Sequence, residues 1–452
     1  MSGGAGGWRR RSVGAAALGG GFGAGVGGFA ARCGAAAGAG GAGFCAGAGL
    51  LWRGCVCAAV VRRRAAGGRT AGCAMSRYLA CIGDATDPGT WSGTPFHFLR
   101  AAQRHGFLDD GWAVHPERLW GQRLAWNLRE WLRTGRRGGF QYSRGFLGRL
   151  LAQVPEAARH AEVITHFPLF PPVALVPGPV SFYIDLTLTQ LFDDYGFGRL
   201  VSPRVQRDAL ARERDAYAAA RHVVCMCGWT RDVVVSRYDV PAAQTHVIPG
   251  GANVDEAALA SMSAVVERRA LQPLRLGFVG KDFRRKNLAF LLEIADVLSA
   301  RGFDTKVLAL GFDPAQAPKH PRLRPLGFLD KRTALPQFVE FVRSLHFGCL
   351  FSHAEAYGLS NCECIRLGIP ALTWARGGMP DTVPDGLGHV FPGDASAEDV
   401  AEWLMPLVQD PDLYWALRDR VAARAHEVSW DHAVTRFQAT WAPKPAPADP
   451  HA

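Results

Sequence analysis

The chain has 452 residues, 48% hydrophobic and 20% charged, which is the composition of a globular protein of two or three domains. Nine of the 51 Lys and Arg residues, and none of the 40 acidic ones, precede Met75. The net charge of +11 is therefore concentrated in that leader, and it does not indicate a nucleic-acid partner. No run of 18 apolar residues predicts a transmembrane helix.

The first 74 residues are a Gly/Ala tract interrupted by Arg runs such as Arg9-Arg10-Arg11. Such a segment buries too little apolar surface to offset its chain entropy, so we expect it to be disordered. It is Arg-rich and free of acids, as targeting peptides are, but it lacks an apolar core with a cleavage site. Because Met75 opens an ordinary first strand, we favour a mis-assigned start, with Met75 as the true N-terminus.

Cysteine usage indicates the compartment. Five of the eleven Cys residues lie in the leader, and the others fall in apolar strands or beside Glu363. None has the paired spacing of zinc ligands. We therefore expect reduced thiols in a cytoplasmic protein.

Strand and helix patterns alternate through the first half of the chain. A strand from Tyr78 to Ile82 leads into a Gly-rich loop and a helix, and Gly93 just before that helix lets the backbone approach a ligand. Two later strands, EVITHF and VSFYID, each deliver a polar residue at their carboxyl end. We expect these residues, His166 and Asp185, to face a ligand cleft.

Residues Arg118 to Leu151 are basic and aromatic, with several Trp and Arg residues at helical spacing. This pattern predicts an amphipathic cationic surface. It suits a phosphorylated acceptor or the headgroups of an anionic membrane. A solvated helix face with core tryptophans is the alternative.

The second half opens with the strand LRLGFVG and the basic loop KDFRRKN. This loop places Lys281, Arg284, Arg285 and Lys286 after a strand and before a helix. Two cations at such a position can neutralise a diphosphate leaving group, as a divalent metal does elsewhere.

Two carboxylates flank a helix start between the buried strands FGCLF and IPALTW. Glu355 lies in the loop after the first strand, and Glu363 lies in the opening turns of the helix. The backbone N–H groups between them favour a phosphate. A ligand that is part phosphate and part polyhydroxyl, such as a nucleotide sugar, suits this arrangement. The anion-binding residues are Gly358, Leu359 and Ser360.

Glu-x7-Glu after a buried strand, then Gly-x-Pro and Gly-Gly-x-Pro-Asp, resembles the retaining glycosyltransferases of the GT-B fold, family four. The resemblance is tight from Leu274 to Thr382 and looser over the rest of Met75 to Trp441. It implies an α/β protein of two doubly wound, Rossmann-like domains that face a cleft. It also implies transfer of a sugar from a nucleoside diphosphate sugar to a hydroxyl acceptor (glycan, lipid or small molecule) with retention of configuration, as in polysaccharide biosynthesis.

The resemblance also implies residue roles. Lys286 would stabilise the departing diphosphate together with Arg285 or with Lys281, which stands where the family has an Arg. Glu355 would contact the donor sugar and Glu363 the ribose. No metal-binding carboxylate pair of the Asp-x-Asp kind stands where it would be expected, so we expect neither a metal nor a cofactor beyond the co-substrate. The catalytic set is Glu355, Lys286, Arg285 and Asp185; the donor-binding set is Glu363, Lys281, Gly93, Gly358, Leu359, Ser360, Gly377 and Gly378; the acceptor side holds His166 and His97.

The predicted division gives an acceptor-side domain over 75–255 and a nucleotide-sugar-binding domain over 256–430. Residues 431–452 form a helix that returns to the first domain and a disordered tail. Three alternatives stay open: a nucleotide-sugar epimerase of the same architecture, a PLP-dependent phosphorylase, which is far longer, and a non-catalytic nucleotide-sugar-binding protein.

Overall fold

The computed structural model describes residues 75–262 and 268–442. The leader over 1–74 and the tail over 443–452, both predicted to be disordered, lie outside the described residues.

The first half of the chain forms a parallel six-stranded sheet with the strand order β2-β1-β3-β4-β5-β6. Its two central strands are buried on both faces, as expected of strands covered by helices on each side. The strands are β1 Arg77–Ala80, β2 Asp110–Gly111, β3 Glu162–Thr165, β4 Val180–Ile184, β5 Val223–Cys225 and β6 Thr245–Val247.

The second half forms another parallel six-stranded sheet, in which the order is β12-β11-β10-β7-β8-β9. Numbered from its own first strand, this is the 3-2-1-4-5-6 order of doubly wound nucleotide-binding sheets. The strands are β7 Leu274–Val279, β8 Thr305–Leu310, β9 Leu323–Pro325, β10 Phe347–Leu350, β11 Ala371–Trp374 and β12 Gly388–Phe391.

Helices connect the strands and cover both sheets. Those of the first half are α1 Thr94–Arg104, α2 Trp120–Thr134, α3 Arg144–Leu151, α4 Glu156–Arg159, α5 Leu188–Asp193, α6 Pro203–Ala218 and α7 Gly228–Tyr238. Those that follow are α8 Glu256–Ala260, α9 Leu288–Ala300, α10 Leu335–Arg343, α11 Leu359–Arg366, α12 Ala397–Gln409, α13 Pro411–Arg424 and α14 Trp430–Trp441.

The last helix returns to the first sheet. Phe437 on α14 is fully buried, and its ring lies 5.0 Å from that of Phe98 on α1 and 4.8 Å from that of Tyr183 on β4. At the far end of α14 the indole N–H of Trp441 donates to Glu162 of β3 at 2.7 Å. Helix α14 is thereby packed into the core of the first half.

Each sheet contains one point where the strand order reverses. In the second sheet it lies between β7 and β10, and in the first between β1 and β3. Loops from the carboxyl ends of both sheets touch: the Cys227 thiol after β5 donates to the Ala356 carbonyl after β10 at 3.7 Å. The two reversal points therefore open onto one cleft, where open α/β sheets bind ligands.

Candidate active site

Glu355 is the meeting point of the basic loop and the loop after β10. Its Oε2 accepts hydrogen bonds from Lys286 Nζ at 3.1 Å, Arg285 Nη1 at 3.1 Å and Ser352 Oγ at 3.2 Å. The cations stand after β7 and the carboxylate after β10, so the cluster sits at the reversal point of the second sheet. The structure thus brings together three of the four residues predicted to be catalytic.

Backbone contacts hold the two loops against each other. Arg285 Nη1 donates to the Ala354 carbonyl at 2.6 Å, and the His353 N–H donates to the Arg285 carbonyl at 2.9 Å. Gly280 makes room for the lysine, because a Cβ at that position would lie 2.2 Å from Lys286 Cδ. The geometry of the cluster is therefore fixed by the backbone before any ligand binds.

The cluster carries charge of both signs. Burial by itself raises the pKa of the Glu355 carboxyl, but Lys286 and Arg285 outweigh it, so the pKa lies below its ordinary value. Burial likewise opposes the charge of Arg285, but Glu355 raises the pKa of the guanidinium above its usual range. Both groups are therefore ionised at neutral pH.

Lys281 does not join this cluster. Its Nζ lies 5.2 Å from the ring centroid of Phe328, a side chain that is 56% exposed in the loop after β9. Of the two residues considered as partners for Lys286, the structure brings Arg285 to Glu355 and places Lys281 over an exposed aromatic ring.

Glu363 has a partner that the sequence did not suggest. Its Oε1 accepts a hydrogen bond from Lys331 Nζ at 2.5 Å, and the same ammonium donates to the Asn253 carbonyl at 3.0 Å. Lys331 follows β9, in a loop with no recognisable motif, so only the fold reveals it. The contact joins the second half of the chain to the end of the first.

The start of α11, predicted to bind an anion, begins at a glycine. Gly358 adopts a left-handed φ of 109° at the N-cap, where a side chain would be strained. The first-turn N–H groups of Leu359 and Ser360 have no acceptor within the helix. They remain candidates to bind phosphate.

The tight turn after β11 differs from the prediction. Gly378 was expected to offer its amide to the donor, but this N–H donates to the Glu355 carbonyl at 3.3 Å. A Cβ on Gly377 would lie 2.2 Å from the same carbonyl oxygen. Both glycines therefore pack against the loop that carries Glu355, because only residues without side chains can approach it so closely.

The first half of the chain contributes Asp185 and Tyr195 to the cluster. Burial, with a smaller effect of the Glu355 charge, raises the pKa of the Asp185 carboxyl to about 6. Burial and then Glu355 also raise the pKa of the Tyr195 hydroxyl, which hydrogen bonds to the backbone of Ala356. Asp185 was predicted; Tyr195, in the loop after α5, belongs to no motif and was missed.

His166 is a correction to the predicted acceptor side. It is 4% exposed, its Nδ1 pairs with the Tyr183 carbonyl at 2.8 Å, and its ring packs 5.8 Å from that of Phe98. Burial lowers its pKa to about 4. The residue follows β3 as expected, but α1 covers this end of the strand, so its side chain lies in the core.

The other first-half candidates lie together at the start of α1. Gly93 has a left-handed φ of 89°, and a Cβ there would lie 3.2 Å from His97 Cδ2. Burial, followed by the charge of Lys331, lowers the pKa of His97 to about 4. His97 therefore lies close enough to Lys331 for the lysine charge to affect its pKa. No group of three His, Cys, Asp or Glu side chains suited to a metal occurs in residues 75–262 and 268–442.

Two known proteins are similar in sequence to part of this chain. No family model matches the chain. A D-inositol 3-phosphate glycosyltransferase of Corynebacterium aurimucosum is 25% identical over 230 residues, which are 47% of this chain and 54% of that protein. An alpha-D-kanosaminyltransferase of Streptomyces kanamyceticus is 25% identical over 224 residues, 47% of this chain and 56% of that protein. The chain thus spans about half the length of the relatives it matches.

A solved structure extends the similarity to most of the chain. Sucrose-phosphate synthase from Thermosynechococcus elongatus superposes with a TM-score of 0.52 and 17% identity, over 81% of this chain and 98% of that one. At this identity the likeness shows the fold alone. It confirms the predicted α/β architecture: the protein has a GT-B fold, with two parallel sheets facing a cleft.

Proposed function

We propose that this protein is a retaining glycosyltransferase of family four that uses a nucleoside diphosphate sugar as donor. The observation that carries the proposal is the convergence of Lys286 and Arg285 on Glu355 at the reversal point of the second sheet. The pair of cations suits the diphosphate of an activated sugar. The carboxylate, within hydrogen-bond distance of both cations, suits the sugar hydroxyls. The two glycosyltransferase relatives support the class of reaction.

In this proposal the cations act on the leaving group. As the bond between the sugar and the diphosphate breaks, negative charge develops on the diphosphate. Lys286 and Arg285 stabilise that charge, together with the N–H groups at the start of α11. Because two fixed side chains supply the positive charge, we propose that transfer needs no metal ion and no cofactor.

The remaining residues orient donor and acceptor. The Glu355 carboxylate accepts hydrogen bonds from the sugar hydroxyls, and Glu363, with Lys331 beside it, accepts them from the ribose. Asp185, which belongs to the first half of the chain, lies close enough to Glu355 for that charge to raise the pKa of Asp185. We propose that it accepts a hydrogen bond from the incoming hydroxyl of a glycan or a lipid-linked acceptor. The buried free thiols of the described residues support a reducing, cytoplasmic location.

The test begins with a thermal-shift screen of UDP-, GDP- and ADP-sugars on the full chain. The donor that stabilises the protein is then used to measure release of the nucleoside diphosphate, with and without a chelator, and the anomeric configuration of the product by NMR. Lys286→Ala and Glu355→Ala are expected to lower turnover at least a hundredfold while the protein stays folded.

Lys319→Ala is the matched control, since Lys319 is an exposed lysine of the same half of the chain. It should leave turnover unchanged. Near-normal activity of both site variants would contradict the proposed site. Loss of activity on addition of the chelator would contradict the proposal that transfer needs no metal ion. Donor binding without turnover would identify a nucleotide-sugar-binding protein instead.

A further inference from the structure

Helix α2 turns an apolar stripe toward solvent. The stripe consists of large side chains that recur at intervals of four and three residues and therefore share one side of the helix. We call this set the α2 stripe: Trp120 (72% exposed), Leu124 (63%), Leu128 (55%), Trp131 (43%) and Leu132 (71%).

The protein holds α2 by its opposite side. At 100° per residue, Trp126 points away from the middle of the stripe, and its ring lies 6.2 Å from that of Phe140. Just past the helix, Arg136 Nη1 donates to the Gly198 carbonyl at 3.2 Å and to the Val201 carbonyl at 2.5 Å. A surface helix ordinarily buries its apolar side. Here the fold anchors the helix and leaves that side uncovered.

Arginines border the stripe. Eight Arg and two Glu residues occur from Pro116 to Arg149. On the helix, Arg129 lies beyond one edge of the stripe and Arg123 beyond the other, and the Arg137 guanidinium stands 5.2 Å from the ring centroid of Trp131. Leucines on one side, tryptophans near the boundary and arginines beyond it are typical of a helix that lies in the plane of a membrane interface.

We propose that the α2 stripe docks on an anionic membrane surface. The Leu and Trp side chains enter the boundary between headgroups and acyl chains, and the arginines pair with lipid phosphates. In the part of the chain that the structure describes, every helix is too short or too polar to cross a bilayer. Attachment by α2 is thus attachment to one face of the membrane.

Charge complementarity decides between the candidate occupants. A second copy of the chain seated on the same surface would place the two arginine borders close to each other, where like charges repel. Inorganic phosphate or a nucleic acid would satisfy the arginines but not the three leucines. Only an anionic interface with an apolar interior matches both parts of the surface.

The test is co-sedimentation of the full chain with vesicles of phosphatidylcholine alone or with about a third phosphatidylglycerol. We expect binding to the anionic vesicles and little to the neutral ones. The triple variant Leu124→Gln, Leu128→Gln, Leu132→Gln is expected to bind at least tenfold more weakly. Arg129→Gln with Arg137→Gln should remove most of the preference for anionic lipid and of the sensitivity to salt.

Leu413→Gln is the matched control, because Leu413 is a 50% exposed leucine on α13, in the other half of the chain. All variants keep residues 1–74, so binding through the leader would persist in the triple variant and overturn the proposal. The proposal would also be overturned if the wild type forms a dimer and does not bind vesicles, and if the triple variant is a monomer. Turnover of a soluble donor is measured separately, so failure of membrane docking and failure of the proposed chemistry give different results.

Discussion

At the scale of single residues, Lys286 reaches Glu355 across the backbone of Gly280. A Cβ at position 280 would overlap the lysine Cδ at 2.2 Å, a separation that two non-bonded carbon atoms do not tolerate. We therefore expect Gly280→Ala to displace the ammonium and to lower turnover about a hundredfold, comparable to loss of one group that stabilises the transition state. Steady-state kinetics with the identified donor measures this effect.

Gly148→Ala controls for the change from glycine to alanine. Gly148 lies within α3, and a Cβ there would meet no atom within 4 Å. This variant should leave turnover unchanged and raise the free energy of unfolding slightly, by about 0.4–1 kcal/mol. Equal activity of the two variants would show that Lys286 keeps its position in spite of the added methyl group, or that the position has no influence on the reaction.

Asp185 should make stability depend on pH. Burial raises its pKa to about 6 in the folded protein, against an ordinary 3.8. The folded state therefore takes up a proton between these pH values, where the unfolded state does not, so this carboxyl favours folding more as the pH falls. Relative to Asp185→Asn, the wild type should gain about 1–3 kcal/mol in free energy of unfolding from pH 7 to pH 4. A difference between the two proteins that is the same at both pH values would contradict this.

At the scale of elements, α14 packs against the first half of the chain through its aromatic side chains. Phe437 is fully buried, and its ring lies within 5.6 Å of the rings of Phe98, Phe107, Tyr183 and Trp441. Phe437→Ala should lower the free energy of unfolding by about 3–5 kcal/mol, because the cavity forms inside a packed cluster. Chemical denaturation measures it. Leu413→Ala, at an exposed position, should change stability by no more than about 0.5 kcal/mol.

The order of elements was predictable because their patterns are local. Alternating apolar strands and amphipathic helices are visible in short windows of sequence, as is the capping box of Ser396 and Asp399, which is present at the start of α12. The segment 252–272 was the exception, because it contains α8, capped by Asp255, which no strand or helix pattern of the sequence had indicated. Its short helix packs Leu259 against a distant core cluster, which no local pattern signals.

The site was predictable only where its residues lie in a motif. Glu355 and Lys286 each belong to one, and the parallel order of β7 and β10 brings them together. Lys331 reaches Glu363 from a loop 32 residues earlier in the sequence. Only the path of the chain in the fold brings these two residues together. His166 ends a strand as predicted, but the helix that covers it decides whether it faces the cleft. Tertiary packing, rather than local sequence, decided these cases.

At the scale of the whole molecule, contacts across the cleft join the two sheets. Both oxygens of Asp381, in the second half, accept from the N–H of Gly228 at 3.3 Å, and Gly228 begins α7 of the first half. The Tyr357 hydroxyl donates to the Gly250 carbonyl at 2.8 Å, and Lys331 donates to the Asn253 carbonyl at 3.0 Å. The contact of Asp381 differs from the others in its electrostatics, because the carboxylate lies at the N-terminus of α7, the positive end of the helix dipole.

Asp381→Ala should therefore separate donor binding from transfer. The groups proposed to hold the diphosphate all belong to the second half, so affinity for the nucleoside diphosphate, measured by calorimetry, should stay near that of the wild type. In the proposed mechanism, transfer also needs Asp185 and the acceptor in place. Loss of one charge-assisted hydrogen bond across the cleft should therefore lower kcat/KM about tenfold, which corresponds to about 1.4 kcal/mol. Asp381 touches neither Glu355 nor Lys286 in the contacts described. An equal fall in diphosphate affinity would therefore contradict the prediction and mean that both halves bind the donor.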